Sequence, residues 1–174
     1  MMLHGNLGLN KLARFSMPEI LASSLGAFLA IAAIGWFSQL FLSSHDIPFI
    51  VGSMGASAVL IFASHQSRIA QPWPLVVGHI VSATVGVSCA HFIPDIMLAC
   101  ALAVSGSILF MLLTNSLHPP GGAAALLCVI GGQSIQELGY LFVLAPVGIN
   151  ALLMLLLALV INNLIPGRSY PVRK

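Results

Sequence analysis

The stretch Asn115-Ser116-Leu117-His118-Pro119-Pro120-Gly121-Gly122-Ala123-Ala124-Ala125 separates two long apolar runs. Proline cannot continue the hydrogen-bond ladder of a helix, and glycine tolerates backbone conformations that other residues avoid. Two prolines followed by two glycines therefore predict a break, with a new short helix from about Gly122 to Ile130. If this break lies at membrane depth, its backbone must face a polar cavity, because lipid cannot satisfy unpaired peptide groups.

The composition is that of a membrane protein. Hydrophobic residues make up 59% of the 174 residues and charged residues only 6%, and the mean hydropathy is +1.04. Soluble domains carry about 25% charged residues, so this inventory cannot cover a water-exposed surface. The chain is predicted to form a single all-α transmembrane domain over residues 1–174, a polytopic helix bundle in the lipid bilayer. The few cations lie at segment ends, so we expect no nucleic-acid partner.

Long apolar segments predict four membrane-spanning helices, at about residues 20–42, 72–91, 96–114 and 138–162. Between the first two, residues 47–55 are predicted to form an extended stretch and a break, before a short helix at about 56–64. The capping-box spacing of Ser16 and Glu19, with Pro18 between them, places the start of the first helix.

The two halves of the chain share an order of breaks. Each half reads long span, extended break plus short half-helix, long span, and the segment Gly55-Ala56-Ser57-Ala58-Val59-Leu60 aligns with Gly122-Ala123-Ala124-Ala125-Leu126-Leu127. This order predicts two repeats, at about residues 16–92 and 93–165.

The number of membrane crossings depends on the two short segments. If they cross, the chain has six crossings and inverted halves, with the basic residues on one side: Lys11, Arg14, Arg68, Arg168, Arg173 and Lys174. The acidic Asp46, Asp95 and Glu137 then lie on the other side. If the short segments are re-entrant, there are four spans and only Arg68 violates the positive-inside rule. We prefer six crossings, with both termini cytoplasmic.

Paired, interrupted segments in two halves of a chain indicate a transporter site near the bilayer midplane. A helix N-terminus carries unpaired N–H groups and a partial positive charge. Two helix starts facing each other, near Gly55 and Gly122, can therefore bind an anion without a buried lysine or arginine. We predict a substrate site there, formed by Ser53, Met54, Gly55, His79, Ser82, Asn115, His118, Pro119, Pro120, Gly121, Gly122 and Asn150. His118 can donate a hydrogen bond or take up a proton with the anion.

Simpler structural interpretations of the same residues stay open. The Pro-Pro-Gly-Gly run is also typical of a plain turn, and His118 can cap a helix end or bond a carbonyl. His79 can form an interhelical hydrogen bond, and Asn150 can satisfy the carbonyl freed by Pro146.

No catalytic or metal-binding pattern is found in the sequence. The cysteines, which are Cys89, Cys100 and Cys128, are embedded in apolar runs without metal-ligand spacing, so we interpret them as small core residues. No predicted span contains an acid, and no nucleophile–base motif is present. We expect neither enzyme activity nor a metal or other cofactor.

The run His118-Pro119-Pro120-Gly121-Gly122-Ala123 resembles the signature of the HPP family of integral membrane proteins. Residues 52–57 lie where that family has its upstream glycine- and serine-rich segment, and Asn162-Asn163-Leu164 is also similar. The resemblance covers nearly all of the chain. It implies transport, with nitrite proposed for some plastid and cyanobacterial members, and a fold usually described with four spans rather than the six preferred here.

The residues and the resemblance together predict a transporter or channel for a small monovalent anion, with nitrite first. We expect a homo-oligomer in a bacterial cytoplasmic membrane. The alternative is a non-transporting membrane scaffold or sensor subunit, which would show no saturable anion binding. An intramembrane enzyme using His79 and His118 ranks last, because these residues have no acid partner.

Overall fold

The computed structural model describes residues 16–172. Its helices are α1 (Met17–Ser38), α2 (Ile47–Ala58), α3 (Pro72–Phe92), α4 (Ile96–Leu113), α5 (Pro120–Ile130), α6 (Gln133–Leu138) and α7 (Ile149–Leu164). A π-helical turn over Val59–Ala63 extends α2, and a 3₁₀ turn over Arg68–Ala70 precedes α3. The segment Val143–Gly148, which is kinked at Ala145, leads into α7. Residues 16–172 contain no strand, so the all-α prediction is confirmed.

Four helices are long and apolar enough to cross a membrane: Met17–Ser38, Pro72–Phe92, Ile96–Leu113 and Val143–Leu164. They correspond to the four long segments expected from the sequence. Two shorter apolar helices, Ile47–Ala63 and Pro120–Ile130, accompany them. The predicted capping box is also present, since the Glu19 carboxylate accepts from the Ser16 N–H at 2.8 Å and the Ser16 hydroxyl accepts from the Glu19 N–H at 3.4 Å.

The predicted break near Gly55 is wrong. Helix α2 begins at Ile47 and continues through Gly52 and Gly55 without interruption. Pro48 lies in the first turn, where a missing N–H costs no hydrogen bond. Each glycine costs only about 1 kcal/mol relative to alanine in a helix, and packing of α2 between α1 and α5 offsets that cost. No helix starts near Gly55, so the expected pair of facing helix N-termini is absent.

Helix α2 runs antiparallel to α1 along most of its length. Gly35 of α1 faces Val51, and Gly26 faces Phe62, whose ring lies 2.7 Å from the position of an added Cβ. The Ser23 hydroxyl donates to the Phe62 carbonyl at 2.7 Å. With its π-helical extension, α2 therefore covers about 25 Å, from the last residues of α1 back to its first turns.

One end of the bundle, called here the Arg168 end, is closed by a guanidinium group. Arg168 donates to the Phe62 carbonyl at 3.1 Å, the Ser23 hydroxyl at 3.0 Å and the Asn162 side-chain oxygen at 3.2 Å. Tyr170 joins the same end through its hydroxyl, which donates to the Ala70 carbonyl at 2.7 Å. These contacts hold α1, the end of α2 and the end of α7 together.

The opposite end, called here the Asp46 end, is organised by a buried carboxylate. Asp46 accepts from the Gly132 N–H at 3.0 Å, from the Ser43 hydroxyl at 3.1 Å and from the Ser134 hydroxyl. Burial raises the pKa of this carboxyl, but the three hydrogen bonds outweigh burial and hold the pKa below the ordinary value of 3.8. The carboxylate thus joins the start of α2 to the loop after α5.

Part of the predicted topology rests on residues outside the described range. These are the terminal cations Lys11, Arg14, Arg173 and Lys174, together with the segment before Ser16. Residues 16–172 contain two arginines, Arg68 and Arg168, and no lysine.

Candidate functional site

The segment before α5 turns the chain back into the bundle. Asn115 adopts a left-handed conformation with a φ of 53°, and the Ser116 N–H donates to the Met111 carbonyl at 2.8 Å. His118 follows, with its N–H directed at the Met111 sulfur at 3.5 Å. Helix α5 then begins at Pro120, two residues before the predicted start.

The first turn of α5 offers few free N–H groups. Pro119 and Pro120 have none, and the N–H groups of Gly121 and Gly122 donate to the carbonyls of His118 and Pro119 at 2.8 and 3.0 Å. Backbone amides of this helix start therefore contribute less to anion binding than the sequence suggests. The polar chemistry of the site lies instead in side chains.

Three polar side chains meet where α2, α3 and the segment before α5 pack together. Ser57, His79 and His118 are fully buried. The Ser57 Oγ lies 3.0 Å from Nε2 of His118 and 3.3 Å from Nε2 of His79. The centroids of the two imidazole rings are 4.9 Å apart. We call this group the Ser57–His79–His118 cluster.

Backbone carbonyls fix the protonation pattern of both rings. Nδ1 of His79 lies 2.8 Å from the Leu75 carbonyl, and Nδ1 of His118 lies 2.7 Å from the Ile69 carbonyl. Because a carbonyl can only accept, each Nδ1 carries a hydrogen. Each neutral ring then directs the Nε2 lone pair at Ser57.

Two glycines allow α3 and α5 to approach closely enough to form the cluster. A Cβ added at Gly78 would lie 2.7 Å from the Ser116 carbonyl oxygen and 2.8 Å from Cβ of His118. A Cβ at Gly121 would lie 2.6 Å from Oγ of Ser82 and 3.0 Å from the Gly78 carbonyl oxygen. Real Cβ atoms do not approach backbone this closely, so side chains here would push the helices apart.

Ser82 adds an unpaired hydroxyl beside the cluster. It follows His79 by three residues and therefore lies on the same face of α3. Its Oγ is buried and has no hydrogen-bond partner among residues 16–172. Unpaired buried hydroxyls are rare in proteins, and one explanation is a ligand that supplies the missing partner.

The remaining predicted site residues divide between the cluster and other places. The Ser53 hydroxyl donates to the Pro120 carbonyl at 3.0 Å, and Met54 is fully buried on α2. Gly55 and Gly122 have open space where a Cβ would lie. Asn115 is exposed, as is Pro119.

Asn150 is bonded elsewhere than expected. Its Nδ2 donates to the Ser38 hydroxyl of α1 at 2.9 Å, and its Oδ1 is buried without a partner among the described residues. It neither joins the cluster nor bonds the carbonyl freed by Pro146.

Ser57 is the site residue that the sequence analysis missed. A signal was available, because Ser53 and Ser57 are four residues apart and lie on one face of a continuous helix. Interpreting residues 47–55 as an extended break hid this spacing.

An open groove lies between α2 and α5. On α2 it is lined by Pro48, Phe49, Gly52 and Ser53, and on α5 by Ala123, Leu126, Leu127 and Ile130. The groove begins at the Asp46 end, where α2 starts and α5 ends. Ser53, which lines the groove, lies one helical turn before Ser57 of the cluster.

The His-Pro-Pro segment and the helices around it belong to a known sequence pattern. Residues 12–171 match the family described as HPP, transmembrane region. The chain belongs to the HPP transmembrane family. The resemblance noted for residues 118–123 is thereby confirmed, and with the four long apolar helices it establishes that this HPP chain is an integral membrane protein.

Two relatives of this HPP chain are transmembrane proteins of Dictyostelium discoideum. One is 42% identical over 163 residues, which cover 91% of this chain and 52% of the relative. The other is 42% identical over 177 residues, which cover 95% of this chain and 60% of the relative. The chain thus spans a little over half the length of the curated relatives it matches. No solved structure matches the chain.

Proposed function

We propose that this HPP protein transports a small monovalent anion, with nitrite as the first candidate, past the Ser57–His79–His118 cluster. The observation that carries the proposal is the cluster itself, three fully buried polar side chains among membrane-embedded helices. Polar residues are costly inside a membrane and are typical of substrate and ion routes. The unpaired Ser82 hydroxyl beside the cluster supports a ligand at this position.

The charge distribution favours a small monovalent anion over a multivalent one. Arg68 and Arg168, the arginines of residues 16–172, both lie outside the four long helices. The interior formed by the described residues therefore provides hydroxyl and imidazole groups but no fixed positive charge. Every negative charge buried there adds to the cost of desolvation, so this cost is smallest for an anion that carries a single charge. The resemblance to HPP proteins also implies transport, with nitrite proposed for some members.

The route we propose follows the groove between α2 and α5. It runs from the Asp46 end past Ser53 to Ser57, and continues between the two histidines toward the Ile69 carbonyl. Ile69 belongs to the turn that precedes α3, beside the Arg168 end. The two ends of the bundle would thus be connected through the cluster.

We also propose that both short helices cross the membrane, so that the chain has six crossings in two inverted halves. Helix α2 returns beside α1 from the Asp46 end to the Arg168 end. Helix α5 runs in the other direction, from His118 beside Ile69 to Gly132 beside Asp46. The positive-inside rule then places the Arg168 end in the cytoplasm. A bacterial cytoplasmic membrane stays a prediction.

A second candidate function is that of a non-transporting scaffold or sensor subunit. It is favoured by the open space at Gly52, Gly55 and Gly122, where another helix can approach closely. The same feature supports our expectation of a homo-oligomer. A scaffold would show no saturable anion uptake, so the experiment below separates the two functions.

The test is nitrite uptake into proteoliposomes, compared with protein-free vesicles. We expect saturable uptake that Ala123→Leu strongly reduces, because Ala123 lines the groove. Gly122→Leu should reduce uptake as well. The matched control is Ala101→Leu, which adds the same atoms at an exposed position of α4 and should leave uptake unchanged. Uptake no faster than in protein-free vesicles, at every pH and membrane potential tried, would contradict the proposal.

A further inference from the structure

The hydrogen bonds of the cluster do not balance when both rings are neutral. Each Nδ1–H is used by a carbonyl, so each Nε2 needs a donor. Ser57 lies against both Nε2 atoms but has a single hydrogen. If it donates to one ring, the other Nε2 faces an oxygen lone pair. If it donates instead to the Ser53 carbonyl, 3.4 Å away, both Nε2 atoms are left without a donor.

One additional proton completes the set. Protonated at Nε2, one ring donates to the Ser57 oxygen while the Ser57 hydroxyl donates to the other ring. Every polar atom of the three side chains then has a partner. A second proton would leave the Ser57 hydroxyl only the Ser53 carbonyl, 3.4 Å away, as an acceptor, and it would place two repelling cations in rings 4.9 Å apart. The cluster is therefore complementary to one proton and not to two.

Within the described residues 16–172, no fixed charge compensates that proton. The groups that face the cluster are the Ser53 carbonyl of α2, the Leu75 carbonyl of α3, the Ile69 carbonyl of the turn before α3 and the Met111 sulfur of α4. Ser82 of α3 lies beside them with its free hydroxyl. No acid or other cation of residues 16–172 forms a hydrogen bond or ion pair with the cluster.

A buried imidazolium without a counter-charge is unfavourable, and so is a buried anion without one. Bound together, each supplies the charge that the other lacks. Linkage requires that each then increases the affinity for the other by the same factor.

We infer that the Ser57–His79–His118 cluster binds one proton together with the anion and makes the protein a proton–anion symporter. This inference rests on the proposed anion transport. The proton comes from water on the loading side, forms an N–H bond at one Nε2 and is released to water with the anion on the other side. The transported unit carries no net charge.

The first test uses proteoliposomes that contain a pH indicator and a potassium diffusion potential set with valinomycin. We expect nitrite to enter with one proton, at a rate that the imposed potential does not change. Protein-free vesicles measure the leak of nitrous acid and are subtracted. Protein-dependent nitrite uptake that carries current and no protons would overturn the inference and leave the proposed function standing. Absence of protein-dependent uptake would overturn the proposed function.

The second test is independent of transport. Nitrogen-15 spectra of histidine-labelled wild-type protein in nanodiscs distinguish neutral rings from imidazolium rings. With nitrite present, we expect one of the two buried rings to become an imidazolium as the pH is lowered, and the other to stay neutral. Nitrite should shift this titration to higher pH. Two rings that both stay neutral with nitrite bound, or that both become charged, would overturn the inference.

Substitution of a histidine tests whether the transported proton binds to the cluster. The side-chain amide of asparagine can donate to a carbonyl as the Nδ1–H of histidine does, but it has no counterpart of Nε2. His79→Asn should therefore abolish nitrite-driven proton uptake without removing the hydrogen bond to the Leu75 carbonyl. The matched control is His91→Asn, at an exposed position near the end of the same helix, and it should behave as wild type. Equal coupling in His79→Asn and wild type would contradict the assignment.

Discussion

His79 and His118 share one hydroxyl group, because Nε2 of each ring lies within 3.3 Å of the Ser57 Oγ. Their outer Nδ1 atoms are held by the carbonyls of Leu75 and Ile69. The histidine of the family motif is therefore half of a buried pair, and its partner comes from the middle of a membrane-spanning helix. The relationship ties α2 and α3 to the chain segment that opens α5.

Replacing the shared hydroxyl should destabilise the protein. Ser57→Ala leaves two buried Nε2 atoms without a donor, which costs about 1–3 kcal/mol of unfolding free energy. The measurement is equilibrium unfolding in mixed detergent micelles. Ser107→Ala is the matched control, since Ser107 is equally buried but its hydroxyl bonds only the Val104 carbonyl of its own helix, at 2.8 Å. Equal losses in the two variants would show that the shared hydroxyl contributes nothing specific.

Alanine substitutions of the two neighbouring glycines at the start of α5 should have opposite effects on the stability of the protein. At Gly121 the new methyl group would meet Ser82 at 2.6 Å and the Gly78 carbonyl at 3.0 Å, so Gly121→Ala should destabilise the protein by about 1–3 kcal/mol. Gly122 has open space around the corresponding position. Gly122→Ala should therefore be neutral or stabilising by up to about 1 kcal/mol. Thermal unfolding of both variants checks the difference, and equal melting temperatures would contradict the close packing of α3 and α5.

Acid should weaken the Asp46 end. The pKa of Asp46 is lower in the folded protein than its ordinary value of 3.8, so its contribution to stability is complete above that pH. The contribution is lost as the pH falls through the folded-state pKa. Asp46→Asn should cost about 1.5–3 kcal/mol at neutral pH, and the difference from wild type should shrink in acid. The measurement is unfolding free energy against pH, and a difference independent of pH would contradict the role of the carboxylate.

Arg168 should be important for stability, unlike the other arginine of the described range. Arg168→Met removes donors from the Phe62 carbonyl, the Ser23 hydroxyl and the Asn162 side chain. We expect a loss of about 2 kcal/mol in unfolding free energy. Arg68→Met is the control, because Arg68 is exposed and its side chain forms no hydrogen bond within residues 16–172. Similar stabilities of the two variants would contradict the prediction.

Much of the fold was predictable because it depends on local features. Apolar length identified α1, α3, α4 and α7, and the Ser16–Glu19 pair identified the first helix start. The error at Gly55 has a physical cause. A glycine disfavours a helix by less free energy than the packing of a buried helix supplies. Helix propensity alone therefore cannot tell whether a glycine interrupts a helix or only leaves one face of it without a side chain.

The site was predictable only in part. Polar residues in apolar segments are conspicuous, so the site was expected to contain His79, Ser82 and His118. The structure brings these three residues together. Ser57 was missed, and Asn150 was placed with the wrong partners. A hydroxyl flanked by small apolar residues carries no sequence signal of its own, because its role depends on what packs opposite it.

The sequence by itself determined that this is an all-α membrane protein of the HPP family, with a chain reversal before Pro120. These properties follow from total apolar content, from the restrictions of proline and from a motif of adjacent residues. Only the tertiary structure decided that α2 is unbroken and that Ser57 joins two histidines. Those contacts connect segments far apart in the chain, and they form because glycines at 78 and 121 let the helices approach to contact distance.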